Sequence, residues 1–381
     1  MTVFIVGASA AGLYTALFLK KAHPEYEVVV FDRTDKIGKK ILATGNGHAN
    51  LFNQHFSGAF FNHPAFVEAL LERHSAADCL AALSGLGIAT LVKDDLVYPL
   101  SYSAATFVKL LGQVASKFGI VFHLGERVLD YQTGKRIKLM TDQSQYEGDQ
   151  LIFASGGKSQ ENLGSDGSLF PVFAKHGYQI VPLSPSLCPL ETKEKTKAIS
   201  GVRHSAKVTL ERNGTVLYEE VGEVLWKDNG LSGIAVFNAS AFLARSKQNE
   251  ATVTLDLFPE YSESELEKVY QSAKSRGFDP LESLLETKLT NYVKNYAKTE
   301  ETKQICRILK AFPFHVTGLY PFASSQVTSG GIALSQIAQN CFSKIENNVA
   351  FVGEVLDIDG LCGGFNLGFA LLSSLQVVER L

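Results

Sequence analysis

Residues 2–6 alternate β-branched and aromatic side chains, and after Gly7-Ala-Ser-Ala-Ala-Gly12 the chain places Leu13, Ala16 and Leu17 at helical spacing. This predicts strand, tight turn and helix. Beyond His23-Pro24 the apolar run 28–31 shows no polar alternation, as expected of a parallel strand buried on both faces, and Asp32 ends it. A helix is predicted over 103–118, with short strands near 120–123, 127–131 and 136–141 and a further strand over 150–154 that runs into Gly156-Gly157. From about Val181 the pattern changes. Pro182, Pro185 and Pro189 open a region with strand character at 206–210, 216–220 and 252–257, interrupted by a predicted helix over 235–245 and closed by Pro259. Ser262 with Glu265 fits a capping box, worth about 1 kcal/mol at a helix start, and the chain is then charged and amphipathic to about Ala311. Gly-rich turns and apolar strands return from Val327, ending in a helix that begins near Gly364. The opening character thus reappears after an insertion. The predicted fold class is α/β: a Rossmann-like domain of parallel sheet plus β-meander, split as 1–181 and 319–381. It is interrupted by a β-rich insert over 182–257 and 312–318 and by a helical subdomain over 258–311.

Length agrees with that division, since single cores stop growing beyond about 250–300 residues and this chain has 381. Charge narrows the partners. Lys and Arg number 36 against 39 Asp and Glu, a net of −3, so no long-range field recruits nucleic acid or anionic lipid, and a small-molecule partner is expected. Cys79, Cys188, Cys306, Cys341 and Cys362 are odd in number and far apart, without C-x-x-C or zinc spacing, and read as reduced thiols of a cytoplasmic protein. No basic segment precedes the apolar run 3–6, and no stretch approaches the roughly 20 apolar residues of a membrane span.

The turn at residues 7–12 carries the first chemistry. Gly7-x-Ser9-x-x-Gly12 lies between a strand and a helix, and Asp32 follows Gly12 by twenty residues at the end of the next strand. Gly7 permits the tight turn, Gly12 permits close packing, and the helix N-terminus offers free N–H groups and a positive dipole end to a pyrophosphate. Asp32 would accept hydrogen bonds from an adenosine ribose. Ser9 stands where Gly is usual; either its hydroxyl donates to phosphate or the phosphate sits further out. Phe153-Ala-Ser-Gly-Gly157 after a meander, Phe351-Val-Gly-Glu354, Asp357-Ile-Asp-Gly360 and Gly363-Gly-Phe-Asn-Leu367 together point to FAD rather than NAD as the dinucleotide. Asp357-x-Asp359-Gly360 has the wrong offsets for a calcium loop, and no metal site is expected.

On these residues the chain resembles the bacterial FAD-binding oxidoreductases similar to aminoacetone oxidase and the BaiN-type flavoproteins. Gly38-Lys-Lys-Ile-Leu-Ala-Thr-Gly-Asn-Gly-His-Ala-Asn50, with Asn53 behind it, is similar to the family's G-(R/K)-K-L-L-x-(S/T)-G-G-G-R-C-N segment. Gly164-Ser-Asp-Gly167, Gly230-Leu-Ser-Gly233, Val316-Thr-Gly318, Thr328-Ser-Gly-Gly331 and the Gly353–Gly360 stretch follow in the family's order. The resemblance implies non-covalent FAD lined by Gly7, Ser9, Gly12, Asp32, Lys40, Asn46, Gly47, Asn50, Gly157, Gly353, Glu354, Gly364, Asn366 and Leu367, with Ala11, Arg33, Val128, Ser155 and Gly156 completing the set. Two departures stand out: Ser9, and a flavin loop in which the family's Arg and Cys are His48 and Ala49. Cys362, where the family often has Thr, reads as a small neutral side chain.

The expected activity is oxidation or reduction of a small organic molecule by hydride transfer at flavin N5, at the mouth between the FAD domain and the insert, with amine oxidation as one form. The N–H groups of Phe365, Asn366 and Leu367 at the last helix's start would stabilise the negative charge of reduced flavin. Glu354 and Asp357 are expected to accept hydrogen bonds from ribityl hydroxyls or backbone. Among His48, His55 and His315, His48 is preferred as general acid–base because it lies in the flavin loop. One alternative is an NAD(P)H-dependent reductase of an unsaturated substrate, NAD(P)H binding transiently because no second complete G-x-G-x-x-G is present. Another is a flavin-bound redox sensor or RNA-associated protein, supported only by the basic run Lys193, Lys195, Lys197, Arg203 and Lys207, which otherwise reads as a solvated loop.

Overall fold

Five strands lie side by side as a parallel sheet in the order Val349–Phe351, Gln150–Phe153, Thr2–Val6, Glu27–Asp32, Val121–Leu124. Thr2–Val6 is central, and Val3, Ile5, Val30, Ile152 and Phe153 are fully buried, which is why these runs carry no polar alternation. The helices Ala10–Ala22 and Phe365–Arg380 pack together through small residues and paired hydroxyls. Thr15 Oγ1 donates to Ala11 O at 2.8 Å and meets Ser374 Oγ at 2.9 Å, so the buried polar groups of this contact are satisfied. Val128–Gln132, Ile137–Thr141 and Gln145–Gly148 form the antiparallel meander. A third small sheet, Phe52–Asn53, Leu96–Pro99 and Thr90–Lys93, and the helices Pro64–Leu71 and Ala76–Ser84 were not among the predicted elements; each is too short to show a period.

The computed structural model describes residues 1–246 and 250–381. They form two units, Met1–Ser184 with Val327–Leu381, and Pro185–Gln326. The second unit is built on a closed barrel of Leu190–Thr192, Gly230–Ser232, Thr215–Lys227, Arg203–Arg212, Ala251–Asp256 and Phe312–Leu319. Its core holds Trp226, Val208 and Phe314 together with Leu266, Leu289, Ile305 and Leu309 from the helices Glu263–Ser275, Thr287–Ala297 and Thr302–Lys310. The helical segment 258–311 therefore shares one core with the barrel instead of standing as a separate subdomain. Each of its helices has one apolar face and needs the barrel to cover it. The unit boundaries fall at 184/185 and 326/327, beyond the expected 181/182 and 318/319, because Ile180–Ser186 and Val327–Ile332 pair with each other and Phe312–Leu319 is a barrel strand. The capping box forms as expected: Ser262 Oγ accepts the Glu265 N–H, and Glu265 Oε2 accepts the Ser262 N–H at 2.9 Å.

The cysteines are all thiols. Burial pushes Cys188 and Cys306 up to about 11, and Cys79 and Cys341 up to about 12, which keeps them protonated and inert. No helix of the described residues is long and apolar enough to cross a membrane.

Candidate cofactor site

The glycines of the first turn answer to backbone contact. A Cβ on Gly7, whose φ is +112°, would lie 2.3 Å from Ala154 O, and one on Gly12 would lie 1.8 Å from Gly7 O. Strand, turn and helix fit only without side chains at these two positions. Ser9 caps the helix by position but its side chain makes no capping bond. Ala11 meets Gly353, where an added Cβ would stand 2.9 Å from the Ala11 Cβ. Asp32 also serves the turn. Its Oδ2 accepts the Ala8 N–H at 2.6 Å and its Oδ1 accepts the Thr34 N–H and hydroxyl, each at 2.7 Å. The carboxylate first holds the turn; with about four lone-pair sites it retains room for a ribose hydroxyl.

A cleft opens at the C-terminal ends of the first two strands, lined by the predicted Gly7, Asp32, Arg33, Val128, Ser155, Gly156 and Gly157. Arg127 and Asp166 also line it and were not assigned from sequence, although Asp166 lies in the Gly164–Gly167 motif. Arg33 Nη1 lies 2.5 Å from Asp166 Oδ2, a close ion pair in the wall of the cleft. Burial pushes the Asp166 carboxyl up, but hydrogen bonds from Ser168 and the charges of Arg33 and Arg127 outweigh it and hold the group below its ordinary value.

A second cluster surrounds the start of the last helix. Lys40 Nζ donates to Glu354 Oε2 at 2.8 Å, and Glu354 Oε1 accepts the Thr328 N–H at 2.9 Å, so the expected backbone bond is present. A Cβ on Gly157 would strike Thr328 Oγ1 at 2.3 Å. Asn50 accepts from Gly364 N and donates to Phe52 O, both at 3.0 Å, and Gly364 takes φ +87° as N-cap. The Asn366 side chain bonds Gly360 on both sides, N–H at 2.9 Å and C=O at 2.9 Å, so what it can offer a ligand is its backbone N–H, at the helix start with Phe365 and Leu367. Asn46 and Gly47 stand exposed at φ +53° and +86°.

The histidines separate. His48 is half-buried; its Nδ1 lies 2.8 Å from Tyr102 O, and its ring stacks on Tyr102 at 4.0 Å between centroids. His55 is 68% exposed beside Asp95, and His315 is 61% exposed in the second unit beside Glu194, so neither shares a cluster with His48. Sequence reasoning missed His63, whose Nε2 lies 3.0 Å from Oδ2 of buried Asp357. Asp357 thus faces His63 and Asn62, and the signal was only a histidine before Pro64. In the basic run, Arg203 and Lys207 pair with Glu223 and Glu219.

A dinucleotide fits these residues on two counts: a side-chain-free turn stands before a helix, and a cleft lined by Gly7, Asp32, Arg33 and Gly157 opens beside that turn.

Comparison with known proteins agrees. The family described as HI0933-like protein Rossmann domain matches residues 1–379. The chain is 28% identical to the 3-dehydro-bile acid delta(4,6)-reductase of Clostridium scindens, over 96% of this chain and 95% of the relative. It is 27% identical to the ribosomal RNA dihydrouridine synthase of Haemophilus influenzae, over 97% and 96%. Among solved structures, quinol fumarate reductase of E. coli matches all of this chain and 70% of its own, with TM-score 0.51 and 16% identity. The 3-ketosteroid-delta4-(5alpha)-dehydrogenase of Rhodococcus jostii RHA1 matches 99% and 95%, with TM-score 0.50 and 12% identity. These structural likenesses speak to the fold. With a family match that spans nearly the whole chain, the protein belongs to the HI0933-like Rossmann family of FAD-dependent oxidoreductases.

Proposed function

We propose that this protein reduces a carbon–carbon double bond conjugated to a carbonyl group in a small organic molecule, with NAD(P)H as the source of electrons. Support comes from two relatives matched over nearly their full length. Their printed activities, bile acid delta(4,6)-reduction and dihydrouridine synthesis, concern different molecules but share the saturation of a double bond. That observation carries the reading and favours reduction over amine oxidation. The near balance of charge, a net of −3, favours a small molecule over RNA.

FAD, when bound and reduced, supplies the hydride. On this reading the Gly7–Gly12 turn and the Arg33–Asp166 pair hold its adenosine diphosphate half, while Lys40, Glu354 and Asn50 hold the other half. The N–H groups of Phe365, Asn366 and Leu367 present fixed dipoles to negative charge. The substrate carbon remote from the carbonyl takes the hydride, and the carbon beside the carbonyl takes a proton. We assign that proton to His48: Nδ1 is engaged by Tyr102, whereas Nε2 has no hydrogen-bond partner among the described residues.

Anaerobic mixing tests this. Holoenzyme reduced with NADPH or NADH should consume a cyclic enone such as a 3-oxo-Δ4 steroid as the flavin reoxidises. His48→Gln should slow that step about a hundredfold while leaving the visible spectrum of bound flavin intact. Flavin bleaching by amines with no enone consumed would overturn the reading in favour of amine oxidation, and turnover confined to RNA would overturn the small-molecule assignment.

A further inference from the structure

We infer that Tyr102 is a positioning residue that fixes which nitrogen of His48 exchanges its proton. This rests on the reading of His48 given above. Tyr102 touches His48 twice. Its carbonyl oxygen lies 2.8 Å from His48 Nδ1, and its ring lies parallel to the imidazole, 4.0 Å between centroids and 18° between planes. A carbonyl only accepts, so Nδ1 must carry a hydrogen. The neutral ring then has its lone pair on Nε2, and the charged ring adds its second proton there. In both states Nδ1–H stays on Tyr102, and the proton that comes and goes is always on Nε2.

The holder is built at a conformational cost. Tyr102 has φ +50°, the left-handed region that a bulky L-residue rarely occupies. That backbone is what lets one residue present both carbonyl and ring to the same imidazole. Two neighbours brace it: the Tyr98 ring meets Tyr102 edge-on at 4.9 Å and 67°, and Lys93 Nζ lies 5.3 Å from the Tyr102 centroid. Tyr98 and Lys93 belong to the strands Leu96–Pro99 and Thr90–Lys93, whose sheet abuts the start of the last helix; Leu96 Cδ2 would lie 3.8 Å from a Cβ on Gly363. Strained backbone held by surrounding contacts is characteristic of functional sites.

Two measurements test the assignment. In holoenzyme labelled with 15N-histidine, and with the signal assigned by its loss in His48→Gln, long-range 1H–15N spectra should show the neutral ring protonated at Nδ1. Tyr102→Leu removes the stack and the ring contacts that brace the left-handed backbone, so the carbonyl is no longer held on Nδ1 and the spectra should show a mixture of tautomers. With an enone as substrate, Tyr102→Leu should lower kcat about tenfold with little change in KM and raise the solvent isotope effect on kcat, and Tyr102→Phe, which keeps the ring, should recover most of the rate. An Nε2-protonated neutral ring in the wild type, or a Tyr102→Leu tautomer identical to wild type, would overturn the inference. If wild-type enzyme consumes no enone, the proposed reaction fails, and the tautomer spectra still decide the role of Tyr102.

Discussion

Two glycine-bearing segments of the same unit, residues 7–12 and 38–50, answer to different physics. In the first, glycine is required by backbone: the space a Cβ would need is filled by carbonyl oxygens of Ala154 and Gly7. In the second, Gly38, Gly45 and Gly47 take φ +65°, +54° and +86°, and side chains tie the segment to the rest of the unit, Lys40 on Glu354, His48 on Tyr102 and Asn50 at Gly364. The first segment can tolerate almost no change and carries little chemical choice. The second adds side-chain pairs that reach across the fold, and with them chemical choice. Gly12→Ala should break that contrast most severely. Because the obstruction is backbone and cannot move aside, we expect a loss of about 3 kcal/mol or more, read from the denaturation midpoint, and protein that retains no flavin absorbance on purification.

The same contrast explains what could be read in advance. Strand, turn and helix at residues 2–22, the buried strand after it, the helix after Ser103 and the Ser262 capping box were legible because local sequence alone determines them. The roles of Asp32 and Asn366 were legible only in part. Their place at the site was marked by spacing, but their side chains hold the Ala8 and Gly360 backbone, and no spacing rule reports that. Asp166, Tyr102 and His63 were not legible as partners. Each acts on a residue or loop far away in sequence, such as His48 and Tyr102, and pairing of that kind is created by the fold.

Within the second segment, Lys40→Ala should have the next largest effect. The side chains of Lys40 and Glu354 are 17% and 19% exposed, so the variant leaves a mostly buried carboxylate without its cation. We expect about 1–3 kcal/mol, less than the roughly 3–5 kcal/mol of a fully buried pair, seen as weaker FAD binding and a lower midpoint. Equal losses in Lys40→Ala and Lys40→Arg would mean that shape, not charge, sets this contact.

A smaller effect belongs to Asp166, which bridges the two physics by tying Arg33 at the adenosine cleft. Its folded-state value is depressed, so the stability it contributes is present above its ordinary value and is lost as pH falls through the folded one. The difference between wild type and Asp166→Asn in FAD affinity, about fivefold or 1 kcal/mol at neutral pH, should therefore shrink below about pH 4. A difference that grows on acidification would have the wrong sign for a depressed carboxyl.

The smallest effect is expected at Ser9, the one place where the first segment carries a side chain instead of the usual glycine. Its hydroxyl makes no capping bond, and no other hydrogen bond among the described residues occupies it. Folding therefore draws little from it, and Ser9→Gly should change stability by only a few tenths of a kcal/mol, about the size of an N-cap change to glycine. Binding is different if the hydroxyl donates to a pyrophosphate oxygen in place of the closer backbone approach that glycine allows. Ser9→Ala should then weaken FAD about two- to fivefold while the apo-protein midpoint stays put, and Ser9→Gly should recover part of that loss by letting the phosphate move inward. Titrations in which both variants bind FAD as tightly as wild type would show that the phosphate lies too far out for the hydroxyl to reach. In that case the first segment would be a purely backbone device, and all the chemical individuality of this site would rest with residues 38–50.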